Sequence, residues 1–518
     1  MPKGRRRLPA ALRGAKERKI MRKLILAVLI ISLMTIAPFS AAGAQEKKVF
    51  RVVGDIPTLL TPGNMNGVGI QMHGAVYEWL VSLAPDKVEL KPELAQSWTW
   101  SDDYKVWTLE LKPGVTWHNG ASLTPEDVIF TIERTQDPAL GHKSKKTFEV
   151  VEKVEKAGDL TVKITLKESR PRFMATLTDY NMPVLLHTYD YSKLGETAPM
   201  GTGPFTVKGI VPKENVVLVK NPDYHIAGAP KLDEIHFIWI SDIGTRANML
   251  LSGEADMCRE MAPTDAQRAR NSPGTKVAVP YTGRRILAMR VDQKPFNDNR
   301  IRQALKYCFN NAQVARIARA ELDQTIFMTE SPLGPMYPEY LDLPHRGPDL
   351  EKAKELLKEA GVGRVKLELF YEANLDHGEF IALSLQESAK EAGFDIELRG
   401  VPREVYYDQA WLKANFTLTG WSPRVDPTLE FYQAYRTGAP WNETHLADAR
   451  FDDLIDKISA EGDPVQAKVL FDELQRLFYD EGGIYVVHVP RYTGLSKNVT
   501  GYNETITLVG DWREIDFQ

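Results

Sequence analysis

The residues able to do covalent or metal chemistry are scattered along this chain. Its ten histidines include no close pair; the nearest two, His225 and His236, are eleven apart. No His-Glu-x-x-His helix and no Gly-x-Ser-x-Gly elbow occurs, so neither a zinc hydrolase nor a serine hydrolase is signalled locally. Neighbouring acids such as Asp102-Asp103 and Asp452-Asp453 read as turn and helix-surface chemistry. A triad assembled from distant residues stays open as an alternative, but the sequence points to no catalytic role, no metal and no cofactor. The two cysteines, Cys258 and Cys308, could pair in an oxidising compartment or sit as two buried thiols. Pairing needs Cα atoms within about 7 Å, which spacing does not decide.

Export chemistry is more legible. Arg22 and Lys23 precede an apolar run over residues 24–37, and Ala42-Gly43-Ala44 is a small-residue cleavage site. The run is shorter than the about 20 residues a spanning helix needs. Residues 1–44 are therefore expected to be a signal peptide, with Met21 as an alternative start after residues 1–20. Residues 1–44 carry ten Lys/Arg and one acid, so a net charge of −4 becomes −13 for the remainder. An acidic surface repels nucleic acid and anionic lipid, and no nucleic-acid partner is expected.

Local patterns place the elements. Residues 49–53 alternate as a strand, and residues 71–83 have a helical apolar period. Residues 98–111 read as a hairpin around Ser101-Asp102-Asp103. Thr124-Pro125-Glu126-Asp127 is a helix start, with a cap, proline in the first turn and acids behind it. Further strands are expected over 160–166, 216–219 and 235–240. Asp349 caps a helix bearing Leu350, Ala353, Leu357 and Ala360 and ended by Gly361. Val365, Leu367 and Leu369 alternate, a helix carries Ile381, Leu385, Ala389 and Ala392, and Phe394, Ile396 and Leu398 alternate again. Strand, helix and strand at this spacing form a βαβ unit with a parallel pair. Asp463-Pro464 opens a last helix, expected to bury Val465, Val469, Leu470, Leu474 and Leu477. About 470 residues exceed one hydrophobic core, so two or three domains are expected.

Three fragments in register carry a resemblance: Glu93-Leu94-Ala95-Gln96-Ser97-Trp98, Trp107 to Gly120, and Leu123-Thr124-Pro125-Glu126-Asp127-Val128. Gly201-Thr202-Gly203-Pro204-Phe205, Leu250 to Asp256, Pro295 to Leu305 and Gly420-Trp421 with Asp426-Pro427 continue it. The pattern resembles the peptide/nickel class of extracytoplasmic solute-binding proteins, bacterial family 5, which feed ABC importers. The resemblance implies an α/β, two-lobed periplasmic-binding-protein fold of type II, with an accessory domain, around a hinged cleft. One lobe would comprise residues 45–80, 199–281 and 489–518, the accessory domain 81–198, and the second lobe 282–488. Two strands would cross between lobes near residues 287–290 and 485–488. The implied protein is a periplasmic monomer that captures a peptide-like or other small polar solute and hands it to inner-membrane ABC permease subunits.

Gly420-Trp421 is where such proteins present ligand contacts. Peptide binders commonly carry an aspartate three residues after this Trp, to pair with the peptide's ammonium; here the position is Arg424. A guanidinium suits a carboxylate, phosphate or sulfate instead. The implied ligand residues are Trp421, Ser422, Arg424, Asp426, Arg285, Arg290 and Tyr406, with Arg284, Tyr407 and Trp441 as weaker candidates. A non-peptide anionic solute (an opine-like acid, modified amino acid, oligosaccharide or metal chelate) is the alternative. A sensor, chaperone or hydrolase using the same cleft stands behind both.

Overall fold

The computed structural model describes residues 47–55, 62–63, 68–84, 88–193, 199–279, 282–310, 312–314, 327–375, 377–421, 424–503 and 509–518. Three main sheets organise them. The first has seven strands, in the order Thr275–Ala278, Tyr492–Ser496, Met257–Met261, Val49–Gly54, Glu234–Trp239, Asn215–Lys220 and Phe205–Val211. Its central strand, Val49–Gly54, is parallel to both neighbours and buries Phe50, Val52 and Val53. The second has six strands, ordered Phe327–Thr329, Ile484–Pro490, Thr282–Met289, Phe416–Trp421, Val365–Glu372 and Phe394–Val401. The third is an antiparallel four-stranded sheet, Ala95–Trp100, Val106–Leu111, Thr161–Leu166 and Val151–Lys156, packed beneath the helix Pro125–Gln136.

Local chemistry explains why these elements form. The helix Pro125–Gln136 starts in a reciprocal cap: Asp127 returns its carboxylate to the Thr124 N–H at 2.9 Å. Asp349 accepts from the Lys352 N–H, opening Leu350–Glu359 with Ala353 and Leu357 buried. Val365–Glu372 and Phe394–Val401 pair in parallel through the helix Gly378–Ala392, giving the βαβ unit. Gly393 ends that helix at φ +115°, a left-handed value a side chain would resist.

Three expectations change. The helical run over residues 71–83 is a helix Val68–Val76 followed by a strand Val81–Leu83, which pairs with Leu90–Pro92. Aromatic and branched residues in that run satisfy both periods, and the partner strand decides. The helix Pro464–Glu481 buries Ala467, Phe471, Leu474 and Phe478, whereas Val465 is 67% and Val469 57% exposed. Two apolar stripes compete there, and the one bearing the aromatics faces the core. Residues 287–290 and 485–488 do not cross between sheets, because Thr282–Met289 and Ile484–Pro490 pair side by side within the six-stranded sheet. The chain passes between the two large sheets elsewhere: between Ala278 and Thr282, and at Arg491, which pairs with Glu260 at 2.9 Å. Of the two alternatives open for the cysteines, the structure has the second: Cys258 and Cys308 are buried free thiols in separate cores.

Candidate binding cleft

A cavity of 740 Å³ opens between the six-stranded and four-stranded units. One wall comes from the end of Phe416–Trp421, from residues 424–426 and from the helix Pro427–Ala434; the other comes from residues 143–147 and 175–181. The strand delivers Gly420 and Trp421 to the rim. A Cβ on Gly420 would lie 2.8 Å from Leu375 Cδ1, so glycine lets the strand end pack closely there.

Trp421 donates its indole N–H to Glu443 Oε1 at 2.8 Å and meets Trp441 edge to face at 5.8 Å. Arg424 lies with its guanidinium carbon 5.5 Å above the Trp441 ring, a cation–π arrangement. Its carbonyl accepts the Tyr337 hydroxyl at 2.6 Å, which fixes the loop. Among the described residues no carboxylate lies within ion-pair distance of Arg424, and its Nε is sealed from solvent without a hydrogen bond. Asp426 is a capping residue: buried, it accepts from the Thr428 N–H at 2.9 Å and hydroxyl at 2.6 Å. Burial pushes its carboxyl above the usual range, against the pull of Arg172 and Arg170.

The opposite wall carries Asp179, held by the Ser144 hydroxyl at 2.7 Å and the Asn181 N–H at 2.9 Å. Tyr180 sits between the charges; burial and Asp179 raise its hydroxyl's pKa, and Arg424 opposes them. Lys143 beside it is lowered by burial, against Asp179. The cavity thus offers Arg424 and the indoles on one wall, and Asp179 beside Lys143 and Lys146 on the other.

The residues the resemblance points to are only partly brought together. Trp421, Arg424 and Asp426 line the cavity; Ser422 lies outside the described residues. Arg285 is buried behind Gly420, donating to the Arg284 carbonyl at 3.0 Å. Arg284 emerges on the other face of the sheet, as strand alternation requires, and its guanidinium pairs with Glu430 at 2.7 and 2.8 Å. Arg290 is six residues along the same chain segment, bound to Asp292 at 2.6 Å and to the Lys413 carbonyl. It does not line the cavity, because it is at the far end of the strand pair from Trp421. Tyr406 is buried, its hydroxyl near Thr417 and Thr419, and the adjacent Tyr407 lines the cavity in its place. Lys143, Asp179, Tyr180 and Trp411 were not anticipated; nothing in their local spacing distinguishes them from other surface residues. Among the described residues no group of His, Cys, Asp or Glu is arranged to hold a metal ion.

Two large sheets linked by two chain passages, a third sheet closing on the second, and a cavity between them define a two-lobed periplasmic-binding-protein fold. The chain belongs to the bacterial extracellular solute-binding proteins, family 5, whose middle-region model matches residues 89–443. It is 27% identical over 493 residues to the glutathione-binding protein GsiB of Shigella dysenteriae serotype 1, covering 92% of this chain and 94% of that one. The substrate-binding protein CtaP of Listeria monocytogenes superposes with a TM-score of 0.81 at 25% identity, over 91% of this chain and 99% of that one. AgaA of A. tumefaciens R10, solved with agropinic acid, shares the fold with a TM-score of 0.74 at 23% identity, over 91% and 99%. The protein is the solute-binding component of an ABC importer. No helix among the described residues is long and apolar enough to cross a membrane.

Proposed function

We propose that the cleft takes a small, peptide-like solute bearing a carboxylate, and that Arg424 receives that carboxylate. The observation that supports this is the guanidinium itself, which reaches the cavity without a carboxylate partner among the described residues. A partly buried cation left unpaired is costly, and a ligand carboxylate relieves that cost through paired N–H donors. Asp179 across the cavity suits an ammonium, and the indoles suit the apolar stem between the two charges. Glutathione, named for the relative GsiB, is a solute of this kind. The volume lies within the roughly 300–1,000 Å³ of small-molecule sites.

In this reading residues 1–44 are removed on export and the remainder works in the periplasm as a monomer, without covalent chemistry and without a nucleic-acid partner. Residues 45–80, 199–281 and 489–518 form one lobe, 282–488 the other and 81–198 the accessory domain. The lobes close about the two chain passages, and permease subunits of the inner membrane recognise the closed form. The test is to purify the chain from residue 45, release co-purified solute and identify it by mass spectrometry, for the wild type and for Arg424→Ala. An acidic peptide-like solute lost in the variant is the expected result. A non-peptide acid lost in the variant keeps the anion site and removes the peptide assignment. A neutral solute, or an acid held equally by both proteins, refutes the role of Arg424.

A further inference from the structure

Part of the aromatic wall of the cleft rests on a buried carboxylate. Trp421 meets Trp441 edge to face at 5.8 Å, and Trp411 meets Tyr407 edge to face at 5.5 Å. All four rings line the cavity. Glu443 lies beneath them, 6% exposed, with Oε2 sealed from solvent. Its Oε1 accepts the Trp421 indole N–H at 2.8 Å, whereas Oε2 has no hydrogen-bond partner; the Trp411 indole and the Thr417 hydroxyl lie near enough to act on the carboxyl's protonation. The segment bearing Glu443 is itself fixed: Asn442 donates to the Leu446 carbonyl at 2.8 Å and accepts from the Leu446 N–H and the Thr444 hydroxyl.

We propose that Glu443 is the positioning residue of this wall, a carboxylate whose protonation sets how firmly Trp421 is held against the ligand, with Trp411 beside it sensing the same charge. The proposal takes from the preceding section only that this cavity is the ligand cleft. No basic side chain among the described residues forms an ion pair with Glu443. The titratable groups facing it are the phenols of Tyr406, Tyr407 and Tyr435, each raised by burial and by Glu443 among other causes, and so neutral near pH 7. Burial pushes the carboxyl of Glu443 up to about 7, against the Trp421 hydrogen bond and the nearby donors of Trp411 and Thr417. As an anion it accepts from the Trp421 indole in a charge-assisted bond and presents its charge to the nearby Trp411 indole; protonated, it has weaker acceptors and an O–H to place. The wall is therefore firm above about pH 7 and loosens as pH falls through that value.

The test uses the ligand-free chain from residue 45, labelled with 5-fluorotryptophan and followed by fluorine NMR from pH 5.5 to 8.5. Resonances are assigned by their loss in Trp411→Phe and Trp421→Phe. The expected result is that these two resonances move together with a midpoint near 7, and that Glu443→Gln abolishes the movement. Stationary resonances in the wild type, or titration persisting in Glu443→Gln, overturn the proposal. Should Glu443→Gln fail to fold, Trp421→Phe supplies the second arm. It removes one donor to the anion, so the midpoint read at Trp411 must rise; an unshifted midpoint overturns the proposal. None of these readouts needs a ligand. Failure of glutathione, used as the calorimetric probe, to bind would count against the acidic-solute reading and leave this one standing.

Discussion

Replacing Glu430 probes the ion pair on which the floor of the cleft rests. Arg284 and Glu430 are both 0% exposed at the side chain, joined by bonds of 2.7 and 2.8 Å. Burial disfavours the charge on Arg284, but Glu430 and the nearby phenols outweigh it, and the guanidinium is held more firmly protonated than usual. Removing the carboxylate strands a buried cation, which costs about 3–5 kcal/mol. The Pro332 carbonyl still accepts from Arg284 at 2.6 Å. Glu430→Gln, which keeps an amide oxygen, should therefore fall near 3 kcal/mol and Glu430→Leu nearer 5 on that scale. The double variant Arg284→Met with Glu430→Leu removes both charges and fills the space with apolar atoms, so it should cost less than Glu430→Leu alone. Guanidinium denaturation followed by circular dichroism measures all three and the single Arg284→Met. A cost below about 1 kcal/mol for Glu430→Leu, the level of an exposed pair, would refute the argument. So would a double variant whose cost equals the two singles combined.

Three further outcomes are expected. Glu93 is buried, and burial followed by the charge of Glu78 raises its carboxyl to about 8, while Arg513 and Lys112 oppose them. The folded state thus holds a proton that the unfolded chain releases near its ordinary pKa of 4.5, so stability should fall as pH rises from about 4.5 to about 8. Glu93→Gln should flatten that slope in denaturation curves at pH 5.5 and 8.5; an unchanged slope sinks the assignment. The thiols of Cys258 and Cys308 are both raised to about 12 by burial, so a thiol reagent should find two thiols after denaturation and almost none before. A disulfide in the mass spectrum would contradict this. Asp463 accepts from the Val465 and Gln466 N–H groups at 2.8 and 2.9 Å, and Asp463→Ala should cost about 1 kcal/mol in the same denaturation assay.

What was legible in the sequence was what neighbours along the chain decide. Thr124, Asp349 and Asp463 cap helices within three residues of themselves, and residues 365–401 carry a βαβ unit whose alternation and helical period do not conflict. The misreadings arose where two local answers were equally good and a distant partner chose. Residues 81–83 became a strand because residues 90–92 pair with them, and the last long helix turned Phe471 and Phe478 inward at the expense of Val465 and Val469. The arginines show the same limit. Arg284 and Arg285 are consecutive, but strand alternation sends one to Glu430, 146 residues away, and the other behind Gly420.

The cleft divides along the same line. Arg424 is legible because the resemblance implies an aspartate at its position in peptide binders, a contrast visible without any coordinates. Asp179 had no such contrast; its place opposite Arg424 depends on the unit built on residues 95–166 closing against the six-stranded sheet. Glu443 is a third case. It is 22 residues from Trp421, near enough in sequence to notice but without any spacing rule that links a carboxylate to an indole. A residue that touches ligand is constrained by the ligand's charge, which leaves a trace in the sequence. A residue that orients the one touching it is constrained only by the geometry of the wall, and a buried carboxylate beneath indoles becomes recognisable only when the fold has brought them together.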